Sequence, residues 1–80
     1  MTTLIKYKKA FKESLAIKES VINDKLKYES VPEWDSIGHM SLISALEEIF
    51  SISIDTDDVV DFSSFKKGKE ILKKYKIIIK

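Results

Sequence analysis

A regular run of apolar residues in the middle of the chain limits its fold more than any other feature. The run consists of Ile37, Met40, Ile43, Leu46, Ile49 and Phe50. Spacings of three and four place such side chains on one stripe of an α-helix. We therefore predict a helix over residues 36–50, flanked on its stripe by Leu42 and Ala45. Because burial of large apolar side chains drives folding, we expect this stripe to dominate the core.

The segment before this helix predicts another helix and a long connection. Its apolar stripe consists of Leu4, Tyr7, Phe11 and Leu15. This spacing predicts a helix over residues 3–17. The pattern weakens over residues 18–35, where Pro32 disfavours helical backbone in the residue before it. Connections of this length tend to be functional or to hold a short helical turn. Its anchors to the core are expected among Leu26, Tyr28 and Val31.

Two shorter helices are predicted in the last third of the chain. Asp57 and Asp58 precede a short apolar stretch and favour a helix over residues 57–62, because carboxylates stabilise a helix N-terminus. Ser63 or Ser64 then caps a last helix over residues 64–75. Its apolar residues are Phe65, Ile71, Leu72 and Tyr75. Gly68 weakens that helix by about 1 kcal/mol relative to alanine, but it permits close packing.

These elements predict an all-α fold in one domain over residues 1–80. We expect a small four-helix bundle with a long loop after the first helix and a short third helix. A chain of 80 residues has a thin core and little room for a deep pocket, which argues against an enzyme. With no cysteine and one histidine, it lacks the side chains for a disulfide, a thiolate metal site or a multi-histidine site.

No apolar run approaches the ~18 residues of a membrane-spanning helix, and none is typical of a signal peptide. We therefore expect a cytoplasmic monomer that does not associate with a membrane. The charges are strongly segregated: residues 1–28 contain 7 Lys and 3 acids, residues 29–61 contain 9 acids and no base, and residues 62–80 contain 7 Lys and 1 acid. The acidic middle is expected to meet basic partners.

The lysine-rich ends interleave aromatic and basic residues, as some nucleic-acid-binding proteins do. However, Tyr7 and Tyr75 fall on the apolar stripes, and the sequence contains no arginine to contact bases or grip phosphates. Solvated helical faces explain these lysines more simply. We therefore expect no nucleic-acid partner.

Ser36 is the candidate functional residue. It follows Glu33-Trp34-Asp35 and opens the central helix, which places its hydroxyl at a helix N-terminus. Asp-Ser before an amphipathic helix is, by itself, an ordinary cap. The wider pattern consists of Asp35-Ser36-Ile37, Met40, Leu42, Ile43, Ala45-Leu46-Glu47-Glu48, Phe50 and Ile52-x-Ile54. This pattern closely resembles acyl carrier proteins. The resemblance extends from Leu4 to Tyr75 and is most specific between Trp34 and Ile54.

The resemblance implies that Ser36 bears 4′-phosphopantetheine, which a Mg²⁺-dependent phosphopantetheinyl transferase delivers from coenzyme A. The thiol of that group would carry acyl or aminoacyl groups as thioesters. Further partners would be a loading ligase or acyltransferase and a downstream synthase or transferase. Asp35 is expected to cap the helix and, by resemblance, to help position Mg²⁺ during modification. The candidate docking residues are Ile37, Met40, Glu47, Glu48, Asp57 and Asp58.

The chain departs from the family pattern at three positions. Ile37 replaces the usual leucine, and Ser41 and Ser44 stand where carriers of fatty-acid synthesis tend to be acidic or apolar. The Trp-Asp-Ser-x-x-His arrangement is similar to that of stand-alone carriers of biosynthetic clusters. This variant favours a bacterial surface-polysaccharide or secondary pathway over primary fatty-acid synthesis.

Several alternatives remain open at the level of sequence. Ser36 and His39 share a helical face, but the other parts of a hydrolase, a third residue to orient the base and an oxyanion hole, are not indicated. His39 is either a surface polar residue or a neighbour of the phosphate on Ser36. Trp34 either packs the loop onto the helices or contacts a partner. The alternative function is an unmodified helical protein-interaction module in which Ser36 is only a cap.

Overall fold

The structure is a computed structural model that describes residues 3–79. Its α-helices are α1 (Thr3–Leu15), α2 (Ser36–Phe50), α3 (Thr56–Asp61) and α4 (Phe65–Lys74). A single turn of 3₁₀ helix, Glu19–Val21, lies in the long loop. No strand forms within the described residues; one isolated antiparallel bridge joins Lys27 to Ser64. The all-α prediction is confirmed. None of the helices in this part of the chain is long and apolar enough to cross a membrane.

The helix boundaries follow local backbone signals. The first helix ends two residues earlier than predicted, because Ala16 adopts a left-handed conformation with φ of 53°. The bounds predicted for α2 match, and it ends at Ser51, which has φ of 54° and donates its N–H to the Glu47 carbonyl. Of the two candidate caps of α4, Ser64 is the residue used: its hydroxyl accepts from the Lys67 N–H at 2.9 Å.

An aromatic cluster forms the centre of the core. Its members are Tyr7, Phe11, Trp34, Phe62 and Phe65, all at most 1% exposed. Phe11 lies at the middle, with ring centroids 5.4 Å from Trp34 and 5.0 Å from Phe65. The expectation that the α2 stripe dominates the core is therefore wrong: α1, the long loop and the segment around α4 supply the largest buried side chains.

The buried face of α2 also differs from the predicted stripe. Its fully buried residues are Leu42, Ile43 and Leu46, whereas Ile37 is 78% exposed and Met40 57% exposed. His39 precedes Leu42 and Ile43 by three and four residues and lies on the same face of α2. A polar residue therefore takes the inward position of the first turn. The two apolar residues beside it consequently face outward.

The long loop is fixed to the junction between α3 and α4. Leu26 is buried, and its carbonyl accepts from the Phe65 N–H at 2.9 Å. The Tyr28 N–H donates to the Ser63 carbonyl at 2.9 Å, although the Tyr28 side chain is exposed. Leu26 is therefore the principal anchor among the three residues proposed for this role, and Val31 is half-buried.

Gly68 permits the close approach of α1 to α4, as predicted. A Cβ atom at this position would collide with the Tyr7 hydroxyl and with the Phe62 ring. The Tyr7 hydroxyl donates to the Phe65 carbonyl at 2.6 Å, and burial raises the pKa of Tyr7 far above its ordinary value. This contact keeps the tyrosine protonated and ties the two helices together.

Candidate functional site

Ser36 is the first residue of α2, and its side chain is exposed. The residue before it forms the cap: Asp35 Oδ1 accepts from the Gly38 N–H at 2.8 Å, and the Asp35 carbonyl accepts from the His39 N–H at 2.8 Å. The predicted capping role of Asp35 is confirmed. Among the described residues, no hydrogen bond engages the Ser36 hydroxyl or the N–H groups of Ser36 and Ile37. The first turn therefore presents a free hydroxyl and two free donors to solvent.

Gly38 brings the loop against this first turn. A Cβ atom here would collide with the Glu33 carbonyl and would contact Leu15 at 3.0 Å. The absence of a side chain lets the loop backbone lie directly on α2, beside the end of α1. The backbone on both sides of Ser36 is thus held in place.

Trp34 lies beneath the site rather than on its surface. Its ring is 0% exposed and contacts Phe11 edge-on. Its indole N–H donates to His39 Nδ1 at 3.0 Å. Of the two interpretations of Trp34, packing of the loop agrees with this placement, since a fully buried ring offers no surface to a partner.

The bond from Trp34 determines the tautomer of His39. An indole N–H can only donate, so His39 Nδ1 is the acceptor and carries no proton. The proton of the neutral ring must then lie on Nε2, which is 2.8 Å from the Val59 carbonyl and donates to it. The ring also stacks near Trp34, with centroids 6.1 Å apart and planes 19° apart.

His39 is therefore a structural link between the loop, α2 and α3. It is half-buried, and both ring nitrogens are engaged, so neither sequence interpretation of His39 described this role. No hydrogen bond joins Ser36 to His39 in the described part of the chain, and the nucleophile-base pair of a hydrolase is not formed. The sequence signal for this structural role is the spacing of His39 to Leu42, Ile43 and Leu46, which places His39 on the inward row of α2.

Four of the six candidate docking residues are exposed, and the other two are half-buried or buried. Ile37, Met40, Glu48 and Asp57 are exposed. Glu47 is half-buried, and its Oε2 accepts from the Ile54 N–H at 2.8 Å. Asp58 is 5% exposed. The hypothesis that Asp58 docks a partner is therefore corrected, because its side chain is buried.

Asp58 instead joins α3 to the end of α4. Its Oδ1 accepts from Lys74 Nζ at 2.6 Å, and its Oδ2 accepts from the Tyr75 hydroxyl at 2.6 Å. The hydrogen bond from Lys74, followed by that from Tyr75, lowers the pKa of Asp58. The hydrogen bond between Lys74 and Asp58 raises the pKa of Lys74, and the hydrogen bond between Tyr75 and Asp58 raises the pKa of Tyr75. Burial of this carboxylate is stabilised by these two partners.

A shallow groove separates α2 from α1 and begins at Ser36. Met40, Ser44 and Glu48 follow Ser36 along its length, and Glu13 and Ser14 of α1 form part of the opposite wall. The groove contains two carboxylates and no basic residue. Within residues 3–79, no group of three or more His, Asp or Glu side chains is arranged to hold a metal ion.

No protein-family model, curated protein or solved structure matches this chain.

Proposed function

We propose that this chain is an acyl carrier protein that bears 4′-phosphopantetheine on Ser36. The observation that carries the proposal is the exposed, unbonded Ser36 hydroxyl at the first turn of a 15-residue helix, directly after the capping Asp35. This serine stands in a motif that resembles the modified serine of carrier proteins. The four helices, the long first loop and the short α3 are consistent with a bundle of the acyl-carrier type.

The residues present are suited to a phosphodiester on Ser36. The free N–H groups of Ser36 and Ile37 lie at the positive end of the α2 dipole, where negative charge is stabilised. The neighbouring Asp35 carboxylate opposes this effect, but its Oδ1 is engaged with the Gly38 N–H and the site is open to solvent, which screens the repulsion.

The prosthetic group supplies a thiol, which this chain lacks, and that thiol carries the cargo as a thioester. Its attachment is a phosphoryl transfer. The Ser36 Oγ forms a bond to the phosphorus that bears the pantetheine unit of coenzyme A, and the pyrophosphate P–O bond breaks. Adenosine 3′,5′-bisphosphate leaves, and the serine proton passes to a base of the transferase or to solvent. By resemblance, Asp35 helps to position Mg²⁺ in that complex.

The surface near Ser36 supports a role as a substrate of other enzymes. Ile37 and Met40 present an exposed apolar patch beside the serine, and Glu48 and Asp57 are exposed acids within the acidic third of the chain. Basic patches on a transferase, a loading ligase or acyltransferase, and a downstream synthase or transferase are complementary to this surface. We place the protein in the bacterial cytoplasm, acting as a single carrier domain and a monomer. We favour a surface-polysaccharide or secondary pathway.

Intact-mass measurement tests the modification directly. The protein is incubated with coenzyme A, Mg²⁺ and a broad-specificity phosphopantetheinyl transferase. We expect a gain of one phosphopantetheinyl group in the wild type and in Ser41→Ala, an exposed serine on the same helix, and no gain in Ser36→Ala. An unmodified wild type, or a gain that persists in Ser36→Ala, would exclude the carrier function. The exposed Ile37 and Met40 would then favour an unmodified protein-interaction module.

A further inference from the structure

The seam between α2 and α3 is closed next to Ser36. His39, one turn further along α2, donates from Nε2 to the Val59 carbonyl at 2.8 Å. Its ring lies against Trp34 and Phe62, at centroid distances of 6.1 Å from each. Trp34 and Phe62 are both buried. A flexible chain attached to Ser36 therefore finds this side of α2 already filled.

The other side of α2 is open. Ser36, Met40, Ser44 and Glu48 follow one another at intervals of four residues and share one face of the helix, and all four line the groove. All four are exposed. The groove starts at the attachment point itself.

The length of the groove matches that of the phosphopantetheine arm. Twelve residues separate Ser36 from Glu48, which corresponds to about 18 Å along the helix axis. The arm is as long as roughly four to five extended residues, or about 16 Å. An arm that follows the groove therefore ends near the last turn of α2, close to Glu48.

The lining also matches the chemistry of the arm, which alternates apolar groups with two amides. Ile37, Met40 and Ala45 offer apolar contact, and the hydroxyls of Ser41 and Ser44 can donate to and accept from amides. These two serines are the positions at which the chain departs from carriers of fatty-acid synthesis. A groove that holds the arm gives them a role.

We infer that the phosphopantetheine arm on Ser36 lies in the groove between α1 and α2, with its thiol end beside Glu48. The inference rests on the proposed modification of Ser36. It extends to the cargo: Glu48 at the thiol end, in a groove whose lining contains no basic residue, favours a thioester that carries a positive charge, such as an aminoacyl group, over one that carries a carboxylate.

NMR of the modified protein tests the position of the arm. In protein labelled with ¹³C and carrying an unlabelled arm, we expect filtered nuclear Overhauser contacts from the arm to the methyl groups of Met40 and Ala45. Contacts to Val59 and Val60 instead, or no contacts to any methyl group, would overturn the inference. Intact mass is measured first on the same sample. A sample without the added group refutes the proposed function, whereas a modified protein without groove contacts refutes only the position of the arm.

A pair of substitutions provides the matched control. Ser44→Trp fills the groove, and Val60→Trp places the same bulk on exposed α3. We expect the amide shift changes that modification causes at Ala45 and Glu48 to be lost in Ser44→Trp and kept in Val60→Trp. Loss in Val60→Trp alone would indicate that the arm lies on the α3 side. Circular dichroism of both variants verifies that the helices remain folded.

Discussion

The hydrogen bonds of His39 yield a prediction that distinguishes the contributions of its two ring nitrogens to stability. Asparagine places an acceptor oxygen near the position of Nδ1, whereas glutamine places a donor near the position of Nε2. His39→Asn should therefore keep the bond from Trp34 and lose the bond to Val59, and His39→Gln should do the reverse.

The two losses differ in magnitude because the partners differ in burial. Trp34 is 0% exposed, so its N–H stays unsatisfied in His39→Gln, which destabilises the fold by about 1–3 kcal/mol. Val59 is half-buried and its carbonyl can take water, so His39→Asn should destabilise by about 1 kcal/mol. For a domain of this size, 1 kcal/mol corresponds to a change in Tm of roughly 4–8 °C.

Urea unfolding followed by fluorescence of the only tryptophan measures both variants. The denaturant midpoint should fall without a change in slope, since the exposed surface on unfolding is the same. The ¹⁵N chemical shifts of the His39 ring in the wild type should show the proton on Nε2. A proton on Nδ1, or a larger loss in His39→Asn than in His39→Gln, would refute the assigned hydrogen bonds.

Three further predictions concern the rest of the molecule. The pKa of Asp58 is lowered on folding, so its contribution to stability is present above the unfolded value of about 3.9 and is lost as the pH falls through the folded pKa. Asp58→Asn should accordingly flatten the acid limb of the stability-pH curve more than Asp57→Asn, a substitution of an exposed residue in the same helix. Gly68→Ala should lower the free energy of unfolding by about 1–3 kcal/mol through collision with Tyr7 and Phe62, despite the gain of about 1 kcal/mol in helix propensity; a rise in Tm would contradict the packing. An aminoacyl thioester on Ser36 should shift the Glu48 amide resonance more than a succinyl thioester does, and 1 M salt should reduce the difference; equal shifts at low salt would contradict the charge preference.

Local features of the chain were sufficient to predict the cap and the course of α2. Asp35 accepts from the Gly38 N–H, a contact across three residues that depends only on the residue type and the start of the helix. The same is true of Ser64 at the start of α4. The helices α2 and α4 could be predicted because their apolar spacing and their caps agree.

The residues that were misjudged depend on partners distant in sequence. His39 contacts a carbonyl 20 residues away, and Asp58 contacts side chains 16 and 17 residues away, so their burial depends on how the helices meet. Apolar spacing also assigned Ile37 and Met40 to the core, because it does not reveal that a histidine with two partners takes the inward position. The available cues, a His on the buried row and a Lys-Tyr pair near the C-terminus, acquire meaning only when both partners are known.

In the first turn of α2, some residues face solvent and the residues next to them fix the backbone. Ser36 and Ile37 face solvent, Gly38 lies against the loop, and His39 points into the core, where it binds Trp34 and Val59. A serine that acts as a catalytic nucleophile needs a base beside it, and here the base is committed to the fold. A serine that other enzymes modify needs only an exposed hydroxyl on a backbone held in one position. The arrangement meets that second requirement, because the contacts of Gly38 and His39 fix the backbone while the Ser36 hydroxyl stays exposed.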